Sequence, residues 1–102
     1  MWNGTIRSSR LAGDLVLRRI IVNISGTPFR VQEPTVAQWL ACADMVDADR
    51  TMHLVSSCVF DPETGAPAFE NRAAIESAPI SVVMRLDSEL ATLMECEIEN
   101  PT

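Results

Sequence analysis

From Leu15 to Ile24 the chain is rich in Leu, Ile and Val, and its second half alternates. Ile20, Val22 and Ile24 fall on one side, with Arg19, Ile21 and Asn23 on the other, a period of two that predicts a strand. Ser25-Gly26-Thr27-Pro28 interrupts the run, after which Phe29, Val31 and Glu33 alternate with Arg30 and Gln32. Two alternating runs joined by a short Gly-containing turn predict a β-hairpin. A lone hairpin is marginal in water, so its apolar face must pack on helices or on another subunit's strands.

Beyond Pro34 the period changes to that of helices. Thr35-Val36-Ala37-Gln38 has the form of a capping box, in which the Thr35 hydroxyl and the Gln38 side chain each satisfy the other's backbone N–H. Val36, Trp39, Leu40 and Ala43 follow at i, i+3, i+4 and i+7, an apolar stripe. A second helix is predicted from about Asp49 to Phe60, with Met52, Val55 and Val59 on one face and Leu54 and Cys58 beside it. Asp61-Pro62-Glu63-Thr64-Gly65 reads as a tight loop, with Pro62 suited to the second turn position and Gly65 to a positive φ. Asn71 is the expected N-cap of a short turn over Arg72 to Glu76. A last helix starts near Pro79, carries Val83, Leu86, Leu90 and Leu93 at 3-4-3 spacing, and is expected to end at Asn100-Pro101. Residues 1-14 show no clear period and contain two turn signals, so they are expected to form an N-terminal arm preceding a single domain over 15-102.

The resulting fold class is α+β: an N-terminal β-hairpin packed against a small bundle of three to four α-helices. With 102 residues there is room for one core. A hydrophobic fraction of 47% against 22% charged residues argues against disorder. No stretch approaches the roughly 20 apolar residues of a membrane span, and no secretory signal is evident, so a small intracellular domain is expected.

Charge sharpens this. Residues 1-33 carry a net +3 and residues 34-102 a net −9, for an overall −6. An acidic body repels a phosphate backbone, and the five dispersed arginines of the first part have no aromatic cluster among them, so nucleic-acid binding is not expected. The three cysteines, Cys42, Cys58 and Cys96, are widely spaced and each falls in an expected helix. With His53 the lone histidine, a closed zinc site cannot be assembled, and buried apolar thiols are expected instead.

Catalysis finds no foothold either. His53 has Asp49 before it and Ser56 and Ser57 after it, but a helix surface offers no oxyanion hole. Asp61-x-Glu63 lacks the order of a calcium loop, and none of the four glycines stands in a phosphate-loop context. The expectation is a protein that is not an enzyme and uses no cofactor and no metal. What remains is apolar surplus. Two tryptophans, three phenylalanines and five methionines, with a mean hydropathy of +0.11, exceed what so small a core comfortably hides. That points to a protein that binds apolar surface, by self-association or by gripping a client.

Two segments carry a resemblance. Phe29-Arg30-Val31-Gln32-Glu33-Pro34-Thr35-Val36-Ala37-Gln38-Trp39-Leu40 resembles the "strand, R-E-P-T, amphipathic helix" opening of the small tail assembly chaperones of long-tailed bacteriophages, with Gln32 where a basic residue is commoner. Val59 to Phe69 is similar to that family's "D-x-x-T-G-x-P-x-F" loop, followed by a short acidic helix and an apolar terminal helix. The likeness covers residues 20-97; residues 1-14 have no counterpart in it. It implies a non-enzymatic protein that coats the aggregation-prone tape measure protein, helps recruit tail tube subunits, acts in the host cell cytoplasm and is missing from the mature virion. Tape measure and tail tube proteins are the implied partners, a homo-oligomer stays open, and neither nucleic acid nor membrane is expected. The rival readings are a minor tail or connector protein retained in the particle, and an acidic regulatory module such as an antitoxin.

An inner stripe of Val36, Trp39, Leu40, Val55, Val59, Val83, Leu86, Leu90 and Leu93 is expected, shared between core and client. Trp39, Leu40, Val83, Leu86, Leu90 and Met94 are the expected partner-binding residues, with Trp39 and Met94 as the exposed patch.

Overall fold

The computed structural model describes residues 16–95. The arm at residues 1-14, Cys96 and the expected helix end at Asn100-Pro101 lie outside the described residues. Within them the order is β1 (Arg19–Ile24), β2 (Thr27–Gln32), α1 (Val36–Leu40), α2 (Asp47–Cys58), β3 (Val59–Phe60), α3 (Arg72–Glu76) and α4 (Ile80–Met94). The expected α+β class holds, with the hairpin extended to a three-stranded antiparallel sheet of order β1-β2-β3.

The hairpin turn is tighter than the sequence suggested. Ile24 faces Thr27, leaving only Ser25 and Gly26 at the tip, both with positive φ (52° and 83°). A two-residue turn of this kind matches the right-handed twist of the flanking strands, which is why Thr27 and Pro28 join β2 instead of looping out. Pro28 is tolerated for a reason of parity. The Glu33 N–H donates to the Arg18 carbonyl at 2.8 Å, so hydrogen-bonded pairs recur at 20/31, 22/29 and 24/27. Pro28, opposite Asn23, falls between them and removes no bond to β1.

β3 was not foreseen. The helix expected to run to Phe60 stops at Cys58, and Val59 is already extended (φ −119°, ψ 127°). A β-branched residue followed by an aromatic one favours the pleated surface, and β2 offers its free edge through the pairs Val31↔Val59 and Arg30↔Phe60. The Arg30 guanidinium lies 5.1 Å from the centre of the Phe60 ring. The loop that follows closes on itself. Asp61 Oδ1 accepts from the Glu63 N–H, the Gly65 N–H donates to the Asp61 carbonyl, and Gly65 takes the expected positive φ of 79°. The chain then returns beside β3 through a bridge between Phe60 and Pro67.

The core lies between the inner face of the sheet and the helices. Val22 and Val31 meet Leu54, Val55 and Cys58 of α2, Val59, Ile75 of α3, and Val83, Leu86, Leu90 and Leu93 of α4. Each fully buried Leu of this group contributes about 1.5–3 kcal/mol relative to exposure. The α3 start is as expected: Asn71 Oδ1 accepts from the Ala74 N–H at 2.9 Å. The end of α4 is held from the sheet, because the Arg18 guanidinium donates to the carbonyls of Leu93 and Glu95, where the negative end of the helix dipole favours a cation.

Candidate functional site

The expected stripe of Val36, Trp39, Leu40 and Ala43 is the main point of difference. Helix α1 has only five residues, and among them none is buried. Val36 is 74% exposed and Leu40 65%, so these two expected inner-stripe residues are corrected to surface residues. The reason lies at the two ends of the helix. The capping box forms in both directions, with the Gln38 N–H donating to Thr35 Oγ1 at 3.1 Å and the Thr35 N–H donating to Gln38 Oε1 at 2.9 Å. This pins Gln38 inward, where its Oε1 also lies 3.9 Å from the Cys58 Sγ. Four residues on, Cys42 is fully buried, with its thiol donating to the carbonyls of Gln38 and Trp39. Gln38 and Cys42 therefore define the inner side, and Val36 and Leu40 are turned to the outside.

Cys42 lies in the turn after α1, not inside a helix, and Cys58 is the last residue of α2. Burial pushes the Cys58 thiol above its ordinary pKa, against a smaller lowering by the hydrogen bond with Ser57, so at neutral pH it stays protonated.

Trp39 stands at the border of two depressions. On one side an open groove of about 450 Å³ is lined by Glu33, Pro34, Thr35, Val36, Trp39 and Met94. On the other, Trp39 and Met94 face the more polar Asp47, Arg50, Thr51 and Asp87. The Arg50 guanidinium sits 5.6 Å from the indole centre and is itself fixed by Asp47 and the Met45 carbonyl, both at 2.9 Å. A cation held over an aromatic face restrains the ring without hiding it. Trp39 and Met94, far apart in the sequence, are thus brought to one surface. Leu40, Met45 and Val46 continue the exposed apolar positions along the chain.

Val83, Leu86 and Leu90 are corrected the other way. They were expected among the partner-binding residues, yet Leu86 and Leu90 are fully buried and Val83 nearly so, because the 3-4-3 stripe of α4 is consumed by the sheet and α2. Val55, Val59 and Leu93 are likewise core. The groove residues that sequence reasoning passed over are Pro34 and Glu33. Their only signal was the position of Pro34 between a strand and a cap, which forces the chain to turn there.

A second concavity of about 300 Å³ collects Met45, Asp49, Met52, His53, Ser56 and Arg72. The Ser56 hydroxyl and the Arg72 and Asp49 side chains in it are already committed. The Ser56 and Ser57 hydroxyls both donate to the His53 carbonyl, and Arg72 pairs with Asp49 at 2.9 Å and Glu76 at 3.1 Å. The two carboxylates, Asp49 first, hold the Arg72 guanidinium still further above its ordinary range. Among the described residues no group of three or more His, Cys, Asp or Glu side chains is placed to hold a metal ion, and no helix is long and apolar enough to cross a membrane.

Compared with known proteins, the chain matches no family model, no curated protein and no solved structure.

Proposed function

We propose that this chain is a tail assembly chaperone of a long-tailed bacteriophage, which binds the tape measure protein, keeps it dispersed, and helps recruit tail tube subunits during tail morphogenesis in the host cytoplasm. The observation that carries the reading is the outward stripe Val36–Trp39–Leu40 beside Met94. It is an apolar strip in the acidic part of the chain, where residues 34-102 carry a net −9, and it is mounted on a helix whose capping box fixes its direction. Such a strip suits a helical client presenting its own apolar face, and the net charge of −6 would keep the loaded complex apart from its neighbours. The two motif segments that resemble the family support the same reading, since one of them ends in this helix.

Co-expression with a candidate tape measure protein is the test. The client should be recovered in the soluble fraction with the wild-type chain and lost from it with the double variant Val36→Asp/Leu40→Asp. If the client is equally soluble without this chain, the reading fails. Mass spectrometry of purified virions then separates the two structural roles: a chaperone is missing from the particle, whereas a connector or minor tail protein is retained.

A further inference from the structure

The outer edge of β1, the end strand of the sheet, lies apart from the residues on which the tail-assembly reading rests. The alternation that places the backbone groups of Ile20, Val22 and Ile24 toward β2 turns the N–H and C=O groups of Arg19, Ile21 and Asn23 away from it. Among the described residues no hydrogen bond takes up these groups, and β1 is the end strand of the sheet. Proteins ordinarily blunt such an edge with Lys, Pro, a bulge or a covering element. β1 has neither Lys nor Pro, its one charged residue, Arg19, stands at its first position, its six residues pair with β2 without interruption, and Ile21 near its centre is 58% exposed.

We propose that a second copy of this chain pairs antiparallel along this edge, joining the two sheets into one. The sequence of β1 favours its own copy because one register satisfies everything at once. With Ile21 opposite the partner's Ile21, Arg19 falls opposite the partner's Asn23, and Asn23 opposite the partner's Arg19. All three outward residues then lie in hydrogen-bonded pairs, about six backbone bonds in total. The two isoleucines meet on the outer face, and each arginine faces an amide instead of a like charge. On the inner face Ile20 comes opposite the partner's Val22, so the apolar layer runs on across the junction. A shift of two residues sets Ile21 against the partner's Arg19 or the partner's Asn23 and leaves one outward residue beyond the paired stretch, whereas a shift of one brings inward groups against outward ones. The contact is isologous and closes on itself, so it yields a dimer and not a fibre.

The test uses the full chain. Sedimentation velocity over a dilution series should show a monomer converting to a dimer with rising concentration. Amide exchange followed residue by residue should slow severalfold at Arg19, Ile21 and Asn23 over the same range, while Ile20 and Val22 are protected throughout by β2. Ile21→Pro removes one outward N–H without touching the β1–β2 ladder, and should abolish the dimer with the circular dichroism of the monomer unchanged. Ile21→Arg, which sets two cations against each other at the twofold axis, should do the same with the backbone intact. A chain that stays monomeric throughout overturns the proposal. So does protection of Arg19, Ile21 and Asn23 that ignores concentration, since the edge is then covered by the chain's own residues. A dimer that survives both substitutions overturns it as well.

Discussion

Helices α4 and α1 carry the same kind of apolar spacing and put it to opposite uses. In α4, over Ile80–Met94, the residues at 83, 86, 90 and 93 are buried. In α1, over Val36–Leu40, the residues at 36, 39 and 40 are all exposed. Length accounts for the difference. Fifteen residues give four turns whose stripe can be decided only by packing, because no single contact outweighs it. Five residues give little more than one turn, and the attachments at its two ends decide which way it faces. Here the attachments are the Thr35–Gln38 box and the buried Cys42, and both point the apolar side chains outward.

The contrast is broken most severely in the core. Leu90→Ala should cost about 2–5 kcal/mol, because a fully buried leucine leaves a cavity that the sheet and α2 cannot fill. Denaturant unfolding measures it. A loss below about 1 kcal/mol would mean that the α4 stripe collapses freely, and that its burial no longer separates it from α1.

Smaller effects are expected where each helix is tied down. Arg18→Met removes the guanidinium that holds the Leu93 and Glu95 carbonyls at the end of α4. The side chain is half exposed, so the loss should be about 1–1.5 kcal/mol, beneath the usual worth of a charged hydrogen bond. Thr35→Ala undoes one half of the capping box and should cost about 0.5–1 kcal/mol. In a Trp2→Phe background, which leaves Trp39 as the sole indole, it should also loosen the direction of α1, read as a blue-to-red change in fluorescence as Arg50 and Met94 lose their hold on the ring. An unchanged emission would show that Cys42 alone orients the helix.

Much of the fold was legible, because it depends on local chemistry. The alternation at 20, 22 and 24, the capping box, the Asn71 cap and the positive φ of Gly65 each involve residues within a few positions of one another. β3 was not, since Val59 and Phe60 form a strand only because β2 presents an edge some thirty residues earlier in the chain. The site was half legible for the same reason. The apolar identity of Val36, Trp39 and Leu40 is plain in the sequence, but their direction depends on where Gln38 and Cys42 meet Cys58, which is a tertiary fact. Trp39 and Met94 share a groove only because α4 runs back along the sheet to reach α1.

The smallest stability effect is the one that tests α1 most sharply. Leu40 is exposed and its side chain takes part in neither cap of α1, so the cost of Leu40→Ser should stay within about 0.5 kcal/mol. A leucine that served the core would instead cost several times more, because a hydroxyl would then be buried without a partner. The same substitution should cut the binding of a hydrophobic dye, since it interrupts the strip between Val36 and the exposed Met45 and Val46. The two readouts must move apart: stability held while dye binding falls. If they fall together, α1 turns its apolar side inward in solution, and the difference between the two helices disappears.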